Sequence, residues 1–588
     1  MKPKTDQRSK PITNKEPSVD SYDINPSHPI INGTIEIGYD TLAQRISGEG
    51  TVLLDGYVGV DWEQVISALV SCLERDGLSV ATFDIRNCLK SESDIKAMVE
   101  PFLGGDDPVF GHRTTLKLKD YFNQEEINAI EVDHIADVRL IYGTGAHQSN
   151  IDGLLVYFDV PKNELKSRSS TGAIANLGFD KAKSPQKMYK HFYFVDWIVL
   201  NKEKKELLPK MAIIVDQQRP LEPTWMEGPV LRSNLTRLSK SYFRVRPWFE
   251  PGVWGGQWMK ERFSGLDPDV PNYAWSFEMI VPENGLVFED RGTLLEVSFD
   301  VLMFHERENV LGKAAKRFKD EFPIRFDFLD TFQGGNLSVQ CHPNSDYIKE
   351  NFGENFTQDE TYYILDSTDN AKVYLGFQET IDPKEFKKAL RHSDETGEEV
   401  HIEKYVMTYP AKKHDLFLIP HGTIHCSGKD TMVLEISATP YIFTFKMYDW
   451  QRLDLDGKPR PINVKRAFDN LDFERKGYVV EETLISKPVL EASGDTWKKV
   501  HLPTHPDHFY DIYRYEFEGE VRIETLGQCH ILMLVEGTSI ALELEGAFKT
   551  FHYAETFAVP AATNRYKLLN TGKKMAKVVV AFVREDAC

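Results

Sequence analysis

The sequence predicts a multidomain fold: an N-terminal α/β domain built on a parallel sheet, followed by two β-rich domains of the sandwich or barrel kind. Three observations predict it. The chain has 588 residues, more than one hydrophobic core serves. From Ile31 to roughly Leu235, short apolar strands alternate with helical periodicity. After Phe243-Arg244-Val245-Arg246-Pro247, short strands bounded by Gly, Pro, Asn and Asp recur to the C-terminus. The expected divisions are a polar, mobile tail over 1–30, the α/β domain over 31–238, and β-rich blocks over 239–470 and 471–588.

Thr51-Val52-Leu53-Leu54-Asp55-Gly56 is a strand ending in a turn. Trp62 to Arg75 carries Val65, Ile66, Ala68, Leu69 and Leu73 at helical spacing, and Ser79 to Asp84 is the next strand. That βαβ order implies parallel pairing, with later strands at Val138–Tyr142, Leu154–Val160 and Met211–Val215. The topology resembles phosphate-loop nucleoside kinases, but the first turn reads Gly56-Tyr57-Val58-Gly59-Val60-Asp61-Trp62. An acid and an aromatic stand where such a loop needs lysine and a hydroxyl. Asp61 suits a helix N-terminus and repels a phosphate. A noncatalytic domain, its loop a docking surface, is the expectation.

In the β-rich part, helical interludes are expected between Gly312 and Glu321 and around Pro383 to Arg391. The last block has strands at Cys529–Val535 and Thr556–Ala561, the sheet grammar of the central block without its polar ligands.

Composition narrows the class. Apolar residues make up 41% and charged residues 27%, an ordinary globular balance. Acids exceed bases by 90 to 70, a formal charge of -20 that argues against nucleic-acid partners. No apolar run reaches membrane-span length, and Met1 to Arg8 lacks the apolar core of a secretory signal. The six cysteines are scattered, without a CxxC, and read as free thiols of a cytoplasmic protein.

Chemistry concentrates between Leu337 and Arg452. Gln340 and His342 are two apart, so on a strand they share a face. Glu360 opens the apolar strand Tyr362 to Leu365, and His425 follows the turn Pro420-His421-Gly422. Converging inside a barrel, Gln340, His342, Glu360 and His425 suit one divalent ion of the zinc type, at a net charge near +1. His421 is expected to point elsewhere.

With these residues in place, the chain resembles class I (zinc-dependent, cupin-type) mannose-6-phosphate isomerases over roughly Phe249 to Arg584. The likeness is carried by Phe249-Glu250-Pro251-Gly252-Val253-Trp254-Gly255-Gly256, by Phe322-Pro323-Ile324 leading to Leu329-Asp330, and by Leu337-Ser338-Val339-Gln340-Cys341-His342-Pro343. Tyr448-Asp449-Trp450-Gln451-Arg452 and Gly457-Lys458-Pro459-Arg460 complete it. The resemblance implies two cupin-type barrels or jelly rolls. It implies Zn²⁺ on Gln340, His342, Glu360 and His425, and interconversion of mannose 6-phosphate and fructose 6-phosphate. Glu435 matches an acidic position near the sugar: a candidate base, a hydroxyl clamp, or a paired surface glutamate.

Three positions depart from the family pattern. Lys446 stands for an active-site arginine, keeping the charge but losing the planar fork. Gln358 and Asp327 stand where the family usually has lysines. Lys429, Arg452 and Arg325 are candidates to replace the lost cations. The alternatives are therefore a zinc-binding cupin that binds a sugar or metabolite without turnover, and an isomerase for a different sugar.

Overall fold

The computed structural model describes residues 21–588 except 132, 134, 281, 282, 439, 454–456 and 458. Lys458 of the expected signature and residues 1–20 of the expected tail lie outside the described residues. The rest of that tail is packed: Tyr22 is buried, and His28–Pro29 pairs in parallel with the strand Gly285–Asp290.

The α/β block carries a seven-stranded sheet. Its order is Glu36–Ile37, Thr224–Glu227, Ile213–Asp216, Leu154–Asp159, Thr51–Gly56, Val138–Tyr142, Val80–Asp84. The last five in that order are parallel, as the alternating pattern demands, and Thr224–Glu227 turns back antiparallel. The helix Trp62–Arg75 has the expected bounds. Asp61 caps it by accepting the Gln64 N–H at 3.0 Å, and Val65, Leu69 and Leu73 are fully buried.

The carboxyl edge of this sheet, where α/β folds place ligands, is taken up by the chain itself. At the first turn, a Cβ on Gly59 (φ +89°) would stand 2.4 Å from Leu165 Cδ2, so the loop is covered. At the ends of the next strands, buried Asp159 and Asp216 accept the N–H groups of Ser298 and Glu296, each at 2.9 Å. These belong to the strand Thr293–Ser298 of the following block. Lys204 Nζ completes the seal, 2.6 Å from Asp159 and 2.8 Å from Ser298 Oγ. The edge is a docking surface within the chain.

Besides the three-stranded sheet of His28–Pro29, Gly285–Asp290 and Thr293–Ser298, the central block has two larger antiparallel sheets. One has the order Leu416–Ile419, Asp359–Ser367, Thr431–Ala438, Arg325–Asp330, Trp275–Met279, Trp248–Glu250. The other has the order Val406–Pro410, Lys372–Phe377, His425–Ser427, Val339–Cys341, Phe445–Tyr448. The C-terminal block repeats the plan with a six-stranded and a four-stranded sheet, whose inward faces share one core around Phe517, Leu534, Ile540, Phe557 and Val578. The helix Pro383–Thr396 falls where expected. The other interlude is corrected: the main helix is Asp300–Leu311, and only the single turn Ala315–Phe318 lies between Gly312 and Glu321.

Candidate metal centre

The two larger sheets of the central block bring the four ligand candidates together. Gln340 and His425 are paired in register on adjacent strands of one sheet, and His342 follows directly after its strand. Glu360, second residue of its strand, comes from the facing sheet. His342, Glu360 and His425 are wholly buried and Gln340 nearly so.

Their polarity is set by the backbone. His342 Nδ1 lies 3.0 Å from the Phe443 carbonyl and His425 Nδ1 lies 2.9 Å from the Thr423 carbonyl. A carbonyl can only accept, so both rings donate from Nδ1 and turn Nε2, the atom a metal would take, inward. Those nitrogens face Glu360, at 3.2 Å from Oε2 for His342 and 2.8 Å from Oε1 for His425. His342 Nε2 and Glu360 Oε1 have no hydrogen-bond partner. Lone pairs aimed at one another in a buried space repel unless a proton or cation stands among them. Among the described residues this is the one group of three His, Cys, Asp or Glu whose ligating atoms lie within 4.8 Å of each other. The Gln340 amide nitrogen is 3.3 Å from His425 Nε2, and a half-turn presents its oxygen to the same space. Two neutral nitrogens, a carboxylate and an amide oxygen fit a zinc-type ion.

The surroundings differ from the expected +1 site. Asp327 and Glu435 sit directly opposite each other on paired strands, both buried, and add two carboxylates to the cluster. The surface alternative for Glu435 is thereby corrected. Burial, then Asp327 and Glu360, push the Glu435 carboxyl well above its usual range. Burial likewise pushes Asp327 up to about 7, against the pull of Arg325, whose Nε is 3.3 Å from Asp327 Oδ1. Gln358 donates to Glu360 Oε2 at 3.0 Å and so orients the ligand candidate.

Lys446 is half-buried and in register with Gln340. Burial, followed by the Arg460 charge, brings its pKa down to about 8. Of the proposed replacement cations, Arg325 reaches the cluster, whereas Arg452 is committed to Asp449 at 2.7 Å and to the Asn336 carbonyl at 2.6 Å. Asp449 also takes Ser338 Oγ at 2.6 Å and Arg460 at 2.9 Å, so the Tyr-Asp-Trp stretch braces the strand that carries Gln340. His421 turns away to Asp359, 2.8 Å from its Oδ1. Motif spacing did not reveal the two orienting carbonyls, and it named Arg460 without its contact to Asp449. Only Thr423, two residues before His425, left a sequence signal.

A roomy cleft lies elsewhere. A cleft of about 770 Å³ opens between the α/β and central blocks, lined by Trp197, Lys202, Phe304, Lys319 and Phe356 among others. The chemistry, not the volume, locates the centre. Beside Arg325 only about 20 Å³ is open, in a hollow closed by Lys166 and Tyr189 of the α/β block.

Comparison with known proteins gives three findings. Residues 38–240 match a family described as a domain of unknown function (DUF8485). The chain is 24% identical over 285 residues to a mannose-6-phosphate isomerase of Streptococcus mutans, covering 48% of this chain and 82% of that protein. It is 27% identical over 227 residues to a mannose-6-phosphate isomerase of Bacillus subtilis, covering 39% and 67%. Among solved structures, a Bacillus subtilis mannose 6-phosphate isomerase superimposes with a TM-score of 0.48 at 21% identity, over 58% of this chain and 99% of that one. No helix among the described residues is long and apolar enough to cross a membrane.

Proposed function

We propose that this chain is a zinc-dependent aldose–ketose isomerase interconverting mannose 6-phosphate and fructose 6-phosphate. The observation that carries this reading is the buried convergence of His342 Nε2, His425 Nε2 and Glu360, both rings locked in the ligating tautomer. The isomerase names of the curated relatives support it. Gln340, His342, Glu360 and His425 would hold the ion. When bound, zinc would supply Lewis acidity toward sugar oxygens that gain negative charge.

The remaining roles fall to this chain's own side chains. Isomerisation moves a proton between neighbouring sugar carbons and needs a group beside them that can take and return it. Glu435, among Asp327, Glu360 and Arg325, is that group or the clamp on a neighbouring hydroxyl. Lys446 would receive the phosphate; among the described residues no carboxylate lies within ion-pair distance of its ammonium. The reading divides the chain into a noncatalytic α/β domain over 31–238, a metal-binding cupin domain over 239–470 and a ligand-free cupin-type domain over 471–588, in the cytoplasm.

A second reading is a zinc-binding cupin that binds a sugar or metabolite without turning it over. It is favoured by the same pocket's acidity: Asp327 and Gln358 stand where the resemblance expects lysines. One experiment separates them. Wild type and His342→Ala are assayed for conversion of mannose 6-phosphate to fructose 6-phosphate, with and without chelator. Turnover that chelation and the substitution both abolish supports the isomerase. Stoichiometric zinc without turnover selects the second reading.

A further inference from the structure

We propose that the α/β block is part of the metal centre, with Phe110 acting as a positioning residue for His342. This inference rests on reading the His342–Glu360–His425 cluster as a metal site.

The Phe443 carbonyl holds His342 Nδ1 at 3.0 Å. Phe443 lies outside any strand, between Thr431–Ala438 and Phe445–Tyr448, so no ladder holds its carbonyl in place. Its own N–H bonds locally, to the Tyr441 carbonyl at 2.8 Å. What sets the orientation of this segment is packing of its rings, and much of that packing comes from the α/β block. Phe110 stacks on Phe443 with centroids 6.0 Å apart and planes at 12°, and touches Phe445 edge-on at 5.5 Å. Phe194 adds a second α/β ring against Phe443 at 6.5 Å, and Phe110 also backs Phe352, the central-block ring stacked on Phe443 at 4.9 Å, from 5.1 Å. Two residues earlier, Tyr193 stacks on Tyr441 at 4.1 Å and donates its hydroxyl to the Pro440 carbonyl at 2.8 Å. The segment before Lys446 is thus gripped at 440, 441, 443 and 445 by side chains more than 240 residues away in the chain.

His425 provides the internal contrast. Its orienting residue, Thr423, is held through its Oγ1 by Arg475 at 2.6 Å, with no α/β residue involved. Of the two imidazoles, only His342 is oriented through packing by the α/β block. Outer contacts that orient a ligating histidine govern how tightly the ion is held. Loosening Phe110 therefore frees the Phe443 carbonyl, lets the His342 ring turn, and weakens the ion without touching a ligand.

The test titrates zinc into the full-length protein against a chromophoric chelator, and records the visible spectrum of the cobalt-loaded form as a readout of coordination. Phe110→Ala should weaken zinc binding about tenfold and change the cobalt spectrum, while Phe110→Leu, which keeps most of the volume, should restore both. Phe122→Ala, a buried ring of the α/β core, should lower stability and leave affinity unchanged. Should Phe110→Ala not fold, Tyr193→Phe removes only the hydroxyl and should cost about threefold to tenfold. Wild-type affinity in Phe110→Ala and Tyr193→Phe, or an equal loss in Phe122→Ala, overturns the proposal. A wild type that binds no divalent ion sinks the metal reading itself, a different failure.

Discussion

Asp55 Oδ2 meets His147 Nδ1 at 2.5 Å at the carboxyl end of the central parallel strand. The same carboxylate accepts the N–H groups of Gly56 at 2.7 Å and of Gly145 and His147 at 2.9 Å each. Converging backbone N–H groups at this edge are what phosphate-binding folds offer an anion. Here an internal carboxylate has taken them, and Leu165 covers the loop beside it. Isothermal calorimetry with ATP and with UTP should show no binding, and a Kd tighter than about 0.1 mM for either would overturn this.

The same pair predicts a pH dependence of stability. Burial disfavours the charged imidazole, yet Asp55, and Glu203 at 2.8 Å from Nε2, outweigh it and raise the His147 pKa to about 10. The folded pKa lies above the unfolded value of about 6.5, so the stabilisation is complete below about pH 6.5 and is lost as pH rises through about 10. Between those limits His147→Gln should flatten the fall in unfolding free energy by up to about 1.4 kcal/mol per pH unit. Parallel slopes for wild type and variant in denaturant titrations would mean that the folded imidazole is not held charged.

How much of this was legible depended on whether the signal was local. The helix Trp62–Arg75 could be bounded to the residue, because its apolar stripe and Asp61 cap lie within one stretch. The helix Asp300–Leu311 could not. Its buried apolar residues sit at the two ends, Val301, Leu302 and Met303 against Val310 and Leu311, and Glu306 leaves helical geometry at φ -135°. The ligand candidates were legible because His342 stands two residues after Gln340, directly past the end of its strand, and His425 follows a turn. The pairing of Asp327 with Glu435 and the contact of Phe110 with Phe443 join distant segments. No spacing rule reaches that far, so although Asp327 already marked the pocket as acidic, its pairing with Glu435 and the packing of Phe110 on Phe443 emerged only from the fold.

Removing the ion should be felt as lost stability. An ion that binds only the folded chain adds RT ln(1 + [L]/Kd), about 4 kcal/mol at a thousandfold excess over Kd. Without it, the two Nε2 lone pairs and the Glu360 carboxylate confront one another in a buried site. Chelation should therefore lower the melting temperature of wild type and added zinc should restore it. Neither treatment should shift His342→Ala or His425→Ala. A zinc-dependent shift that survives in both variants would place the ion elsewhere.

The junction between the blocks has its own ionic anchor. Arg113 reaches Glu321 at 2.6 Å and Glu354 at 2.8 Å, and the Glu354 side chain is wholly buried. Arg113→Ala would strand that carboxylate, at a cost of about 3 kcal/mol or more. Arg113→Met with Glu354→Gln removes both charges and keeps the Tyr193 hydroxyl in contact, so it should cost less than the single change. Denaturant unfolding of the three proteins decides the order, and a double variant weaker than Arg113→Ala would refute the assignment.

Lys446 decides whether the pocket can hold a phosphate. It is in register with Gln340 and free of any ion pair among the described residues, so its charge is available to a ligand beside the metal candidates. A lysine offers a point charge, whereas the arginine that the resemblance expects here would hold two phosphate oxygens in one plane. If Lys446 binds the phosphate in ground and transition states alike, losing it raises KM with little change in kcat. Lys446→Met should accordingly raise KM for mannose 6-phosphate by about tenfold or more, and Lys446→Arg should lower it. Any turnover of unphosphorylated mannose should be indifferent to both, which separates lost phosphate binding from a damaged site. A Lys446→Met enzyme with wild-type KM would show that the phosphate, if bound, is held by other groups, and Arg325 would be the next to replace.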